Sequence, residues 1–340
     1  MKRIDWVDFG KGFSIFLVLV GHVLLGLFQS NKFTNSNEAL MIFIEQLYIF
    51  HIPVFFALSG YFFKPIKSIY DFILFTKKKT IILGLPYIFY SIIHYILQKV
   101  AGSTVRNPTS YMDLINIYKH PLGVSWYLYT LWGIFIFYGF ISIVIKNKRI
   151  MLFISFIGLV LSMLINVENL LISKVLVWGV FFVLGSVFRE IGFETLFSKR
   201  INKIFIYTLL FMDAIYMIIW KNLSGKQVDY GNPKLWSVGF FISIILAFLV
   251  FPNVKSKLPN MFDYFTKYGK ESLGIYILHA PICSMLRIVV LKIGITSIYF
   301  HVIIGIALGW CLSILAVKLL KRIPYLNIIL LPQNYIKFDR

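Results

Sequence analysis

Residues 1–28 read MKRIDWVDFGKGFSIFLVLVGHVLLGLF. After Lys11, segment 12–28 carries no Asp, Glu, Lys or Arg, and it is long enough to cross a bilayer as an α-helix. Asp5 and Asp8 interrupt the basic start, and no small-residue cleavage site follows the apolar run, so a cleaved signal peptide is not expected. The segment predicts a first membrane span that stays in the protein.

The composition extends this conclusion to the whole chain. Of 340 residues, 59% are hydrophobic and only 14% are charged, and the mean hydropathy is +0.81. A soluble globule of this length cannot bury so much apolar surface. The soluble, disordered and disulfide-rich secreted classes are therefore excluded. The two cysteines, Cys283 and Cys311, imply neither a disulfide framework nor a cysteine metal site.

Further apolar segments along the chain predict an all-α integral membrane protein, a single bundle of about ten transmembrane helices. No loop is long enough for a separate soluble domain, so residues 1–340 form one predicted membrane domain. The predicted spans are 12–28, 40–58, 80–97, 125–145, 151–165, 170–188, 204–220, 235–251, 272–290 and 299–317.

The distribution of basic residues predicts the orientation. With the N-terminus inside, the cytoplasmic segments hold 24 of the 34 Lys and Arg residues, as the positive-inside rule requires. Both termini are therefore expected in the cytoplasm. The same rule explains the net charge of +20 without a nucleic-acid partner, and the lipid bilayer is the expected surrounding.

Ionisable side chains inside spans are costly and mark candidate functional sites. His22 lies in the middle of the first span, eleven residues after Lys11. Eleven residues make three helical turns plus about 20° and rise about 16 Å, so both side chains share one helix face. Asp8 falls within about 40° of the same face. A phosphate-bearing ligand anchored at Lys11 would thus bring a long arm to His22, although packing alone also explains a buried histidine.

Two more histidines lie beside prolines at membrane depth: His51 precedes Pro53, and His279 precedes Pro281. A proline kink frees backbone carbonyl groups that must be satisfied in a protein-lined cavity. We therefore expect a polar cavity near both histidines. His94 and Lys174, nearer the helix ends, are more readily explained as structural.

Basic and aromatic residues flank other spans. Lys77, Lys78 and Lys79 precede the third span, where positive-inside charge or lipid contact is the simple explanation and nucleotide phosphates are the alternative. Trp126 begins the fourth span, where an aromatic belt alone would account for it.

Taken in order, these pieces resemble the membrane acyltransferase-3 family, and most closely its fucose 4-O-acetylase-like branch, whose members O-acetylate cell-surface sugars. Lys11 and His22 match the basic-x10-His motif of the family. The other matching pieces are Phe50–Phe63, Trp126-Tyr127-Leu128, Gly185 to Arg189, Lys270-Glu271-Ser272-Leu273 and Leu278-His279-Ala280-Pro281.

The resemblance implies an acyltransferase that moves an acetyl or other short acyl group from cytoplasmic acyl-CoA to a sugar hydroxyl. Acetyl-CoA is the expected donor, bound by Lys11, Asp8 and one or more of Lys77, Lys78 and Lys79, and no metal is expected. His22 would act as a general base or carry the acyl group covalently. The other candidate catalytic residues are His51, Ser59, Trp126 and His279, of which Ser59 and Trp126 would stabilise the oxyanion.

The expected acceptor is an exopolysaccharide or another cell-envelope glycan, and the expected location is the bacterial plasma membrane. Kinked helices and buried histidines also fit a transporter or flippase for a glycan or lipid-linked intermediate. A non-catalytic membrane scaffold is the third alternative. Acetyl-CoA consumption separates the enzyme from the other two.

Overall fold

The computed structural model describes residues 3–102, 108–195, 203–213, 215 and 237–336. Within these ranges every regular element is a helix. The α-helices are α1 (Asp5–Gln29), α2 (Asn37–Gly60), α3 (Ile69–Ala101), α4 (Tyr111–Ile115), α5 (Trp126–Val144), α6 (Lys148–Leu164), α7 (Leu170–Ile191), α8 (203–213), α9 (Ser237–Lys257), α10 (Pro259–Gly269), α11 (Ser272–Lys292) and α12 (Ile298–Arg322).

This architecture confirms the predicted all-α integral membrane protein. Among the described residues, eight helices are long and apolar enough to cross a membrane. Helix α6 coincides with the predicted span 151–165 but has only 17 residues. The predicted span 204–220 is helical to residue 213, and 214 and 216–220 lie outside the described residues. The total of ten spans and the orientation stay predictions.

Helix α3 begins earlier than the apolar pattern indicates. Its first residue is Ile69 rather than residue 80, because the Ser68 hydroxyl accepts a hydrogen bond from the backbone N–H of Asp71 and caps the helix. The segment 77–79 therefore lies within a 33-residue helix, about 50 Å long at 1.5 Å per residue. The basic triplet is part of α3 and not of a loop.

Helix α10 lies in a segment that the sequence pattern assigned to a cytoplasmic connection, residues 252–271. Pro259 begins the helix, where its missing N–H has no cost. Phe262 stacks on Phe9 with ring centroids 5.1 Å apart, and Phe265 meets Phe13 at 5.5 Å. The apolar face of α10 is thus buried against the N-terminal half of α1.

Helix α1 is central to the bundle, because it packs against α2, α9, α10, α11 and α12. Its contact with α10 is backbone on backbone. A Cβ atom on Gly12 would lie 1.9 Å from the carbonyl oxygen of Phe265, and one on Gly269 would lie 1.7 Å from that of Asp8. Small residues allow this approach, as is common where membrane helices associate through packing.

Helices α2 and α7 cross in the same way. A Cβ atom on Gly60 would lie 1.8 Å from the carbonyl oxygen of Phe182, and a Cβ atom on Gly185 would lie 1.9 Å from that of Ala57. Because both obstacles are backbone atoms, a side chain at either glycine would push the two helices apart.

We expect Gly60→Ala to destabilise the protein by about 1–3 kcal/mol, the usual cost of overpacking. Gly84→Ala is the matched control, since Gly84 also lies inside a helix but has nothing within 4 Å of its Cβ position. The measurement is thermal unfolding in detergent, in which size-exclusion chromatography monitors the loss of monodisperse protein as the temperature rises. Equal melting temperatures for the two variants would contradict the tight crossing of α2 and α7.

Candidate active site

The continuity of α1 places Lys11 and His22 in one helix. The predicted common face therefore exists, with about 16 Å between the two positions along the axis. Asp8 lies one turn before Lys11 and is buried. His22 and Lys11 belong to two separate groups of candidate functional residues, and Asp8 lies beside the group of Lys11.

The first group is the histidine cluster, which consists of His22, His51 and His279. The ring centroids of His22 and His279 lie 5.1 Å apart. Tyr48 contacts both His22 and His51, with ring centroids 6.2 Å from that of His22 and 4.9 Å from that of His51. Helices α1, α2 and α11 thus bring together three histidines that are far apart in the sequence. Two of the three, His22 and His51, open onto a cavity, whereas His279 does not.

Hydrogen bonding determines which nitrogen of His279 carries the hydrogen. Its Nδ1 lies 2.7 Å from the carbonyl oxygen of Tyr276 and 3.2 Å from that of Ile275. Both carbonyl oxygens only accept, so Nδ1 is the donor and Nε2 carries the lone pair. That Nε2 is buried without a hydrogen-bond partner in the described part of the chain. It is therefore the acceptor nitrogen that the protein leaves unbonded beside His22.

His22 and His51 of the histidine cluster line a cavity of about 980 Å³, here called the outer cavity, whereas His279 is fully buried and is not part of its lining. It extends from the imidazoles to the ends of α1 and α11 at Gln29 and Lys292, which is the predicted extracytoplasmic side. Aromatic and polar side chains form much of its wall, among them Tyr48, Phe55, Tyr90, His94, Trp126, Tyr127 and Tyr276.

The second group is the cationic cluster, which consists of Lys11, Lys79 and Arg189. The ammonium of Lys11 lies 5.4 Å from the ring centroid of Phe62, and the guanidinium of Arg189 lies 5.2 Å from the same ring. Lys79 lies 3.6 Å from the centroid of Phe135. The charges of Lys79 and Lys11 are close enough to repel each other. The cluster is therefore a concentrated positive charge at the predicted cytoplasmic end.

Two buried polar groups accompany the cationic cluster. The Asp8 carboxylate is attracted by Lys11, Arg3 and Lys270, yet its Oδ2 has no hydrogen-bond partner among the described residues. The hydroxyl of Ser14, on α1 between Lys11 and His22, is fully buried and also lacks a partner there. Buried polar atoms are normally bonded, so both groups are candidates for contact with a ligand.

The structure separates the members of the basic triplet. Lys79 turns toward the bundle and belongs to the cationic cluster, whereas Lys77 and Lys78 are exposed.

The structure also separates the two predicted oxyanion donors. Trp126 lines the outer cavity with the histidines. Ser59 lies two turns from His51 and bonds to the carbonyl oxygen of Phe55 at 2.9 Å and to the Tyr127 hydroxyl at 3.1 Å. Ser59 is not brought to the imidazoles.

Three residues of these sites had no role in the sequence analysis. Arg189 appeared only inside a matching motif, and its position over Phe62 follows from the crossing of α2 and α7. Tyr48 gave no signal in an aromatic-rich segment. Arg287, which lines the outer cavity, did give a signal, because it is a charged residue within the predicted span 272–290, and such residues mark functional sites.

Comparison with known proteins identifies the family. Residues 4–317 match the model of the acyltransferase domain Acyl_transf_3, so the chain belongs to this acyltransferase family. Together with its apolar helices, this match makes the chain a multi-pass membrane member of that family. The family predicted from the ordered motifs is thereby confirmed, while the fucose 4-O-acetylase-like branch stays a prediction.

The chain is also similar to "Nodulation protein NolL" of Mesorhizobium japonicum (strain LMG 29417 / CECT 9101 / MAFF 303099). The two are 24% identical over 230 residues, which cover 66% of this chain and 58% of the relative. The chain thus spans somewhat more than half the length of that relative. No solved structure matches the chain.

The location of His22 on the outer cavity is testable without an activity assay. In a protein whose cysteines are replaced by alanine, His22→Cys should react with a membrane-impermeant methanethiosulfonate added on the side opposite the N-terminus, because His22 is partly exposed there. Leu19→Cys on the same helix is the matched control and should stay unlabelled, since Leu19 is 0% exposed and outside the cavity lining. Labelling of His22→Cys only from the N-terminal side would contradict the assignment.

Proposed function

We propose that this protein is a membrane O-acyltransferase of the bacterial plasma membrane. It transfers an acetyl or other short acyl group from cytoplasmic acyl-CoA to a hydroxyl of an exopolysaccharide or another cell-envelope glycan. The observation that supports this most strongly is the arrangement along α1. A cationic cluster at one end and a histidine cluster at the base of a cavity are joined by one helix face.

The cationic cluster fits the donor. Coenzyme A carries phosphates that Lys11, Lys79 and Arg189 would neutralise, with Arg189 offering the planar fork of donors suited to phosphate. The orphan Ser14 hydroxyl suits an amide of the pantetheine arm, and Asp8 accepts hydrogen bonds only. Lys77 and Lys78, being exposed, are weaker candidates for this role. Acyl-CoA carries the thioester, and these residues would bind and orient the acyl-CoA molecule.

The histidine cluster fits the chemistry. In a direct transfer, the acceptor oxygen attacks the thioester carbonyl carbon while its proton passes to an imidazole nitrogen. The C–O bond forms, the C–S bond breaks, and the CoA thiolate takes a proton to leave as the thiol. A neutral histidine with a free lone pair can accept the first proton and supply the second.

The family motif points to His22 as this base, and His279 lies beside it with an Nε2 that has no hydrogen-bond partner among the described residues. A covalent acyl-imidazole on His22 is the alternative route, in which the acyl group crosses the membrane before the acceptor attacks. His51 would complete the polar surface around the reacting atoms. Trp126 lies on the same cavity and can donate its indole N–H to the oxyanion.

We expect His22→Ala to lower acetyl transfer by about 10²–10⁴-fold, the usual contribution of a general acid or base. The measurement is release of free CoA from acetyl-CoA by the purified protein. The matched control is His120→Gln, which replaces an exposed histidine outside the lining of the outer cavity.

Equal activity of wild type and His22→Ala would overturn the catalytic assignment. A wild-type protein that neither binds nor consumes acetyl-CoA would favour the transporter instead, and glycan export would then be the assay.

Arg189→Gln and Lys11→Gln should each raise the KM for acetyl-CoA by about ten-fold or more, because a charged hydrogen bond to phosphate contributes about 1.5–3 kcal/mol. The kcat should change less, since the cationic cluster is distant from the reacting atoms. Lys257→Gln is the control for loss of one positive charge at the same end of the bundle, since Lys257 is exposed. An unchanged KM in both cluster variants would remove the donor-binding role.

A further inference from the structure

The outer cavity has a charge pattern that acyl transfer itself does not require. Its described lining includes three cationic side chains, Lys32, Arg287 and Lys292, and no aspartate or glutamate. Lys32 and Lys292 are exposed and lie next to the ends of α1 and α11, at the mouth. Arg287 is partly buried and lies deeper, on the path to the histidines.

The position of Arg287 is defined by a glycine. Its guanidinium Nη1 lies 2.1 Å from the point that a Cβ atom on Gly26 would occupy. Any other residue at position 26 would therefore displace the guanidinium from α1. Gly26 follows His22 by one helical turn, about 6 Å along the axis. The guanidinium thus lies one turn beyond the imidazole, toward the mouth of the cavity.

His22 and Arg287 also share a second, small pocket with Cys283. The two side chains therefore face common space from opposite helices. An arginine within a membrane helix is costly and is normally found facing a protein interior or a water-filled cavity with a function. Its planar fork of N–H donors matches the paired oxygens of a carboxylate or a phosphate.

On the basis of the proposed function, we propose that the acceptor is an acidic glycan. A carboxylate or phosphate group on the acceptor binds Arg287, and the hydroxyl that receives the acyl group lies about one helical turn deeper, at His22. Lys32 and Lys292 attract the polyanion to the mouth of the cavity. The aromatic walls at Trp126 and Tyr127 contact the sugar faces between these points.

The first test compares matched acceptors. An oligosaccharide of uronic acids is paired with its carboxyl-reduced, neutral form, and a polyprenyl-phosphate-linked sugar is paired with the free sugar. Wild type should acetylate one acidic member with kcat/KM about ten-fold or more above its neutral partner, as expected for a charged hydrogen bond. A preference in the first pair indicates that Arg287 binds the carboxylate of a uronic acid. A preference in the second pair indicates that it binds a lipid-linked phosphate.

Arg287→Gln should abolish this preference by lowering the rate with the acidic acceptor. Gly26→Ala should reduce it as well, although the charge is kept, because the new Cβ displaces the guanidinium. Lys99→Gln is the control, because Lys99 lies in the last turn of α3, near the mouth of the cavity but outside its lining. This variant should leave the preference intact. Binding of acetyl-CoA verifies that each variant is folded. Equal use of both members of each pair, or an unaltered preference in Arg287→Gln, would overturn the proposal.

The second test needs no acyl transfer. Ser284 lines the outer cavity, and Ser284→Cys in a protein without its native cysteines reports the local potential. The measured quantity is the ratio of the thiol's reaction rate with an anionic, sulfonate-bearing methanethiosulfonate to its rate with a cationic, trimethylammonium-bearing one. This ratio should be higher for the Ser284→Cys protein than for free cysteine. Arg287→Gln should lower that ratio by about ten-fold.

A faster reaction with the cationic reagent, or a ratio that Arg287→Gln does not change, would contradict an anion-selective cavity. If no acceptor is acetylated, the proposed function fails in that assay, and the thiol ratio alone decides whether the cavity selects anions.

Discussion

The rigidity of α1 is the constraint on which the two functional clusters depend. In a bilayer the backbone groups must be bonded within the chain, and Asp5–Gln29 satisfies them as one continuous helix. Lys11 and His22 are therefore held about 16 Å apart on one face. Because α1 packs against five other helices and meets α10 backbone on backbone, it cannot shift without repacking the bundle.

The two ends of this helix face differ in their chemistry. At the predicted cytoplasmic end, Lys11 and Arg189 are held by the face of Phe62, an attraction between a cation and the ring quadrupole. At the other end, the histidine cluster presents imidazole lone pairs, and Nε2 of His279 has no hydrogen-bond partner in the described part of the chain. One end suits an anion and the other suits proton transfer, which is the division that acyl transfer from a charged carrier requires.

Much of the helical framework was predictable, because length and hydropathy alone identify spans in a bilayer. The predicted starts and ends of α2, α5, α7 and α11 lie within about three residues of the observed ones. The start of α3 was not predictable from hydropathy, since Asp71 and the lysines at 77–79 interrupt the apolar residues before position 80, and the Ser68 cap begins the helix ahead of them. Helix α10 was missed because only one face of it is apolar.

The sequence by itself determined the class of protein, the shared face of Lys11 and His22, and the ordered motifs of the family. These properties are local: they follow from apolar length, helical periodicity and short-range spacing. Only the tertiary structure decided that His51 and His279 join His22, that Lys79 rather than Lys77 enters the cationic cluster, and that Arg287 lies above the imidazoles. Each of these depends on which helices cross and where, and the crossings are set by glycines such as Gly60 and Gly269, where two backbones meet in the absence of side chains.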